Sequence, residues 1–173
     1  MELTHIDESG RPKMVDVSEK PDTVRTAVAK GYIVMKPETL QMIKEGRMKK
    51  GDVLSVAQVA GIMAAKRTPE IVPMCHNINL TGVEMDFRIL EDKNAVAVQA
   101  VVRSIGKTGV EMEALTAVSA ACLAIYDMCK AVDKSMVIKN IQLVEKTGGK
   151  SGDFKREEVT TVENNSAKRH NFD

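Results

Sequence analysis

The order of apolar patterns along this chain predicts an α+β fold, a ferredoxin-like split β-α-β arrangement with an antiparallel sheet and helices packed on one face. Three observations carry that expectation. A β-type run, VRTAVAKGYIVM, opens the folded part. Two alternating runs, NINLTGVEMDFRIL and NAVAVQAVVRSIG, are joined by the turn-like EDKN and read as a hairpin. A long helical pattern from about Gly109 to Val132 is followed by one last strand, MVIKNIQLVEK.

Taken in order, the strand from Val24 to Met35 leads into Pro37. PETLQMIKEG places proline at a first helical position, Leu40 and Ile43 at helical spacing and Gly46 at the end, which makes a short helix. Asp52 is a good N-cap for DVLSVAQVAGIMAAKR, in which Val53, Val56, Ala60 and Met63 recur at helical spacing. TPEIVPMCHN, with two prolines, reads as a loop. The long helix carries a core stripe of Leu115, Val118, Cys122, Ile125, Cys129 and Val132. TGGKSGD is a glycine-rich loop. Residues 1–20 read as a mobile arm, 21–154 as a single domain and 155–173 as a polar, disordered tail.

One feature of the long helix exceeds what a monomer needs. Thr116, Ala120, Leu123, Asp127, Lys130 and Lys134 gather opposite the core stripe, and the upper part of that side is small and apolar. A second subunit packed close to Asp127 and Lys130 accounts for it; a stripe of good helix formers left in water is the alternative.

Composition removes several function classes. Net charge is +1 from 25 basic and 24 acidic residues, too balanced for a general nucleic-acid binder. Two Tyr, three Phe and no Trp leave few stacking platforms for single strands. No apolar run reaches the roughly 18 residues of a membrane span, and no hydrophobic leader segment is present, so a cytoplasmic protein is expected. Cys75, Cys122 and Cys129 make neither a disulfide framework nor a CxxC motif.

Four looser clusters remain. Arg25, Lys50, Lys66, Arg67, Lys107, Lys146 and Lys150 are spread over turns and element ends, several beside glycine, a pairing that suits phosphate as well as a solvated turn. Glu111-Met112-Glu113 begins the long helix; its acids complement the helix dipole or hold polar donors of a guanine or pterin. Met74-Cys75-His76 offers a histidine as acid, base or phosphate donor, while the set of ligands for a metal is incomplete. Asp127 with Lys130 is a surface ion pair, or, if buried at a subunit boundary, a tuned pair for proton transfer.

Taken together, LTHIDESGRPKMVDVSEK, KGDVLSVAQVAGIMAAKRT, IVPMCHNI, GKTGVEMEALTAVSAACLAIYDMCKAVDKSMVI and KTGGKSGDF closely resemble the sequence blocks of the cyclic pyranopterin monophosphate synthases, the MoaC family, from about Leu3 to Phe154. The resemblance implies a lyase of molybdenum cofactor biosynthesis. Such an enzyme converts (8S)-3′,8-cyclo-7,8-dihydroguanosine 5′-triphosphate to cyclic pyranopterin monophosphate and releases pyrophosphate. It implies catalytic roles for Asp127, Lys50 and Lys130. Substrate contacts are implied for Met74, Cys75, His76, Glu111, Met112 and Glu113, and for the basic Arg25, Lys66, Arg67 and Lys146. Met74 stands where the family often has Leu. The resemblance further implies a homohexamer, a trimer of dimers with its active site at the dimer interface. It implies no resident cofactor, leaving room for Mg²⁺ beside the triphosphate or pyrophosphate. On chemical grounds Asp127 and a lysine of lowered pKa are expected to move the protons.

Overall fold

The computed structural model describes residues 9–150 and 152–157. One five-stranded sheet is built in the order β2-β3-β1-β4-β5, and every pairing is antiparallel. The central strand β1, Thr23–Val34, alternates buried and half-exposed residues along nearly its whole length. Ala27, Ala29 and Ile33 point into the core, as the period of two requires of a strand covered on one face. β1 pairs with β3, Ala95–Gly106, from Thr23↔Gly106 to Val34↔Ala95 without a slip. β2, Leu80–Leu90, completes the expected hairpin with β3. Its turn is the single 3₁₀ turn Glu91–Lys93 followed by Asn94 at φ 46°, ψ 52°, a left-handed conformation that asparagine tolerates. The Asn94 carbonyl accepts from Met35 N at 2.9 Å and so closes the end of β1.

β4, Val137–Thr147, lies on the other side of β1, with register shifts around Val28/Ala29 and Lys30/Tyr32. Past the glycine loop, β5, Phe154–Lys155, pairs with Lys146 and Glu145. Lys155, at the head of the segment read as a tail, is therefore hydrogen-bonded sheet; residues 158–173 of that segment, and 1–8 of the arm, lie outside the described residues.

The helices form one layer. α1 is Pro37–Lys44, α2 Val53–Lys66, α3 Thr68–Ile71 and α4 Glu111–Cys129. Asp52 caps α2 as its sequence position suggests, accepting from Leu54 N and Ser55 N at 3.1 Å each. Where a loop was expected, Thr68–Ile71 makes one helical turn: Pro69 is tolerated in a first turn, and the buried Thr68 hydroxyl donates back to the Ala65 carbonyl at 3.1 Å. α4 packs across β1, β3 and β4, and α2 packs on α4 and β2.

Two readings of the helical faces need correction. In α4, Val118, Cys122, Ile125 and Cys129 are fully buried, but the helix ends at Cys129, so Val132 falls in the following turn, half exposed. In α2 the buried residues are Val53, Ala57, Gly61 and Ala65, whereas Val56, Val59 and Met63 face outward. The cause is shape. A Cβ on Gly61 would lie 2.7 Å from Met85 Cε and 3.1 Å from the Ala117 carbonyl oxygen, so α2 meets α4 along its small residues. The larger side chains are left on the far side. By length and composition α4 is apolar enough to cross a bilayer, yet half of its apolar stretch is buried inside the fold.

The seam makes a direct prediction. Gly61→Val forces two branches against Ala117 backbone, and an overpacked contact of this kind costs about 2 kcal/mol. Chemical denaturation should show a clearly lower midpoint, while Val59→Ala on the outward face leaves the stability of a single chain within about 0.5 kcal/mol.

Candidate active site

The candidate residues separate into two groups held at opposite ends of α4. Glu111 begins that helix and Asp127 lies in its last turn, about 24 Å further along the axis at 1.5 Å per residue.

At the N-terminal end lie two adjoining hollows that share Lys20, Thr108, Gly109 and Glu111. The larger, about 590 Å³, is lined by five cations, Lys20, Arg25, Lys107, Lys146 and Lys150, against one acid, Glu111. Its walls come from the ends of β1, β3 and β4 and from the glycine loop. Gly148 and Gly149, at φ +90° and +88°, wrap closely around the buried Arg25, and a side chain on Gly149 would collide with the guanidinium. Arg25 Nε donates to the Gly106 carbonyl at 3.2 Å. Its charge is thereby fixed with little freedom to lose on binding, which suits an anion site. The Thr23 hydroxyl in the same lining is buried and has no hydrogen-bond partner among the described residues.

The second hollow, about 430 Å³, is of opposite character. Met74, Cys75 and His76, from the segment after α3, face Glu111, Met112 and Glu113 on the first turn of α4. His76 Nε2–H donates to the Val15 carbonyl at 2.7 Å, a tautomer assigned from that acceptor, and Nδ1 stays free of this bond. Glu113 is only 2% exposed. Burial pushes its carboxyl up; a backbone hydrogen bond opposes this and Glu111 adds to it. The Cys75 thiol is raised by burial and by the facing Glu113. A buried carboxyl, Glu113, beside the half-exposed Glu111 in a wall that also carries Met74, Met112 and Ile78 is suited to N–H donors of a flat heterocycle.

At the other end, Asp127 stands between two lysines. Lys50, from the turn between α1 and α2, donates to Asp127 Oδ2 at 2.7 Å and to its carbonyl at 3.0 Å. Lys130, at the C-cap of α4, meets Oδ1 at 2.6 Å. Each carboxylate oxygen has its own ammonium. The hydrogen bond from Lys130 first, then that from Lys50, lower the Asp127 carboxyl to about 2. In return, Asp127 raises Lys130. The expectation of a lysine of lowered pKa is corrected for Lys130: an intervening carboxylate outweighs repulsion between the two ammoniums. All three side chains are about half exposed in the single chain.

Of the residues singled out from sequence, Arg25, Lys146, Met74, Cys75, His76, Glu111, Met112 and Glu113 come together, while Lys50, Asp127 and Lys130 form the distant second group. Lys66 and Arg67 are exposed at the C-terminal end of α2, outside the lining of either hollow. Lys20 was missed. It lines both hollows, yet it sits before Pro21 in a polar, aperiodic stretch where nothing in the sequence separates it from a surface lysine.

Because Lys130 is the largest cause of Asp127's acidity, its removal has a defined sign. In the wild-type chain Asp127 should remain ionised through the ordinary carboxylate range around 3.8. In Lys130→Ala it should begin to protonate at higher pH, as read by the carbon chemical shift of its side-chain carboxyl. An unchanged titration would show that Lys130 does not hold the carboxylate.

The sequence pattern of the MoaC family matches residues 14–149. A cyclic pyranopterin monophosphate synthase from Peptoclostridium acidaminophilum is 61% identical over 159 residues, 92% of this chain and 100% of that protein. The protein of the same name from Thermomicrobium roseum is 58% identical, covering 91% of this chain and 95% of its own length. That from Brevibacillus brevis is 61% identical, covering 91% and 98%. This chain therefore belongs to the MoaC family.

Proposed function

We propose that this chain is a cyclic pyranopterin monophosphate synthase, a lyase of molybdenum cofactor biosynthesis. It converts (8S)-3′,8-cyclo-7,8-dihydroguanosine 5′-triphosphate to cyclic pyranopterin monophosphate and pyrophosphate. The observation that carries the reading is the polarity of the paired hollows. A cationic half suits a triphosphate, and an adjoining half with the buried Glu113 and the half-exposed Glu111 suits the N–H edge of a guanine-derived ring. The relatives that match nine-tenths of the chain bear this enzyme's name.

In this reading Arg25, Lys146 and Lys20 bind the phosphates and stabilise the charge that grows on oxygen as pyrophosphate leaves, and Lys66 and Arg67, outside the lining of this chain's hollows, add to the positive charge acting on the substrate. Met74, Cys75, His76, Glu111, Met112 and Glu113 hold the base. The reaction opens the imidazole part of guanine, closes a pyran and a pyrazine ring and cyclises the sugar-proximal phosphate. Asp127 with Lys50 and Lys130 moves protons on and off nitrogen and oxygen during those steps. Lys130, kept charged by Asp127, is the donor of the group, and the carboxylate stabilises its charge until transfer.

One substrate does not reach both ends of α4 within a single chain, which supports a site composed of two chains, with the α4 helices of the pair running in opposite directions. The outward, apolar side of the helix layer, Val56, Val59, Met63 and Leu123, supports the same pairing. A second exposed apolar set lies on the open face of the sheet, where Val24 is opposite Ile105 and Val137 opposite Val34. Two unlike apolar faces fit the two kinds of contact in a trimer of dimers. Element order β-α-β-β-α-β with strand order 2-3-1-4 supports the ferredoxin-like description, β5 being an addition at the edge. The single-domain reading of residues 21–154 accords with one continuous core. A nucleoside triphosphate derivative as substrate favours the cytoplasm.

Purified protein given the cyclised dihydro-GTP should release one pyrophosphate per pterin product, and Lys130→Ala should lose at least about 100-fold in turnover. Mixing tests the composite site. Glu113→Gln and Asp127→Asn chains, each inactive alone, should recover about a quarter of wild-type activity after unfolding and joint reassembly, since random pairing restores one site in each mixed dimer. No recovery in mixed oligomers would overturn the two-chain site; no pyrophosphate from wild-type protein would overturn the activity.

A further inference from the structure

Asp133, three residues beyond Lys130, is a carboxylate with 1% exposure that touches neither hollow. A buried acid is costly unless every oxygen is satisfied. Here both oxygens are used, and by two different parts of the chain. Oδ1 accepts from Ser135 N at 2.9 Å and from the Ser135 hydroxyl at 2.6 Å, closing the turn that follows α4. Oδ2 accepts from Lys36 N at 2.9 Å and from the Thr39 hydroxyl at 3.3 Å, at the start of α1. The α1 helix has no side-chain cap of its own at Lys36. Asp133 supplies that function from across the fold.

These two parts of the chain deliver the ammoniums that grip Asp127. α4 and its turn carry Asp127 and Lys130, while α1 runs through the buried Met48 to Lys50. Lysine side chains that are half exposed do not hold a geometry by themselves, because each has several rotatable bonds to fix. Their backbone anchors must be held in relation to each other. On the strength of the proposed synthase reaction, we propose that Asp133 is a positioning residue: it ties the turn after α4 to the start of α1 and so keeps Lys50 and Lys130 on opposite oxygens of Asp127.

The electrostatic surroundings agree. Burial pushes the Asp133 carboxyl up, but the Ser135 hydroxyl and the backbone N–H groups of Lys36 and Ser135 outweigh it and hold it at about 2. Asp133 is therefore charged wherever the fold is intact near neutral pH. The groups facing it are Lys36 and Cys129. Those facing Asp127 are Lys130 and Lys50, and Tyr126 faces Lys130.

The test compares wild type, Asp133→Asn and Thr39→Val, using purified chains whose folded fraction is measured by circular dichroism. Asparagine keeps the size and loses the charge. It also presents an NH₂ group where one set of donors was accepted. Per folded molecule, Asp133→Asn should lower kcat about tenfold or more while KM stays within about twofold, since the hollows at the far end of α4 are untouched. The acid limb of its kcat profile should move to higher pH, because an Asp127 less firmly held by the lysines protonates sooner. Thr39→Val should shift both in the same direction by less, and it carries the test if Asp133→Asn does not fold. A folded variant with unchanged kcat and pH profile, or a loss wholly explained by unfolded protein, would overturn the positioning role. If wild-type protein makes no product, the synthase reading fails instead. The Asp127 carboxyl titration, which needs no turnover, then still reads whether Asp133→Asn frees Asp127 from its lysines.

Discussion

The seam between α2 and α4 sets the form of everything around it. Ala57, Gly61 and Ala65 bring α2 against the backbone of α4 near Ala117, and no larger residue fits at the crossing. That closeness lets two helices share one side of the sheet and leaves β2 covered by α2 and β1 by α4. It also aligns the ends. The N-terminus of α2 lies beside the C-terminus of α4, where the Lys50 turn meets Asp127, and the C-terminus of α2 lies towards the α4 N-terminus, where the chain continues to Met74, Cys75 and His76. A helix crossing thus determines which side chains become neighbours at both ends.

Much of this was legible in the residues themselves. The alternation in β1 and the hairpin survives in the structure because each strand is buried on one face, so period two and burial coincide. Asp52 was identifiable as a cap because its chemistry is local. The inner face of α2 was not legible. Hydrophobicity favoured Val56, Ala60 and Met63, but close packing selected small residues, a condition set by α4, which is distant in sequence. Val132 was assigned to the core by helical spacing that does not extend past Cys129. The short turn at Thr68–Ile71 depends on a hydroxyl bond back to α2 that composition does not encode.

The site followed the same division. Residue types suggested phosphate and acid–base chemistry, and the acids of the first α4 turn do line a hollow together with Met74, Cys75 and His76. The same glutamates that a helix dipole favours are also partly withdrawn from water, so the bland and the functional readings describe one arrangement. What the sequence could not supply was distance. Cations near each other in composition are divided between two ends of a helix, and those at Asp127 are neutralised by a carboxylate that the mere count of lysines ignores.

α4 is a single uninterrupted rod whose first turn walls a hollow and whose last turn bears the carboxylate. In a paired assembly, each rod would end in one active centre and begin in another. Any tilt imposed where a ligand seats at one end is carried as a rigid displacement to the other, so twin centres built this way would sense each other's occupancy without a dedicated relay.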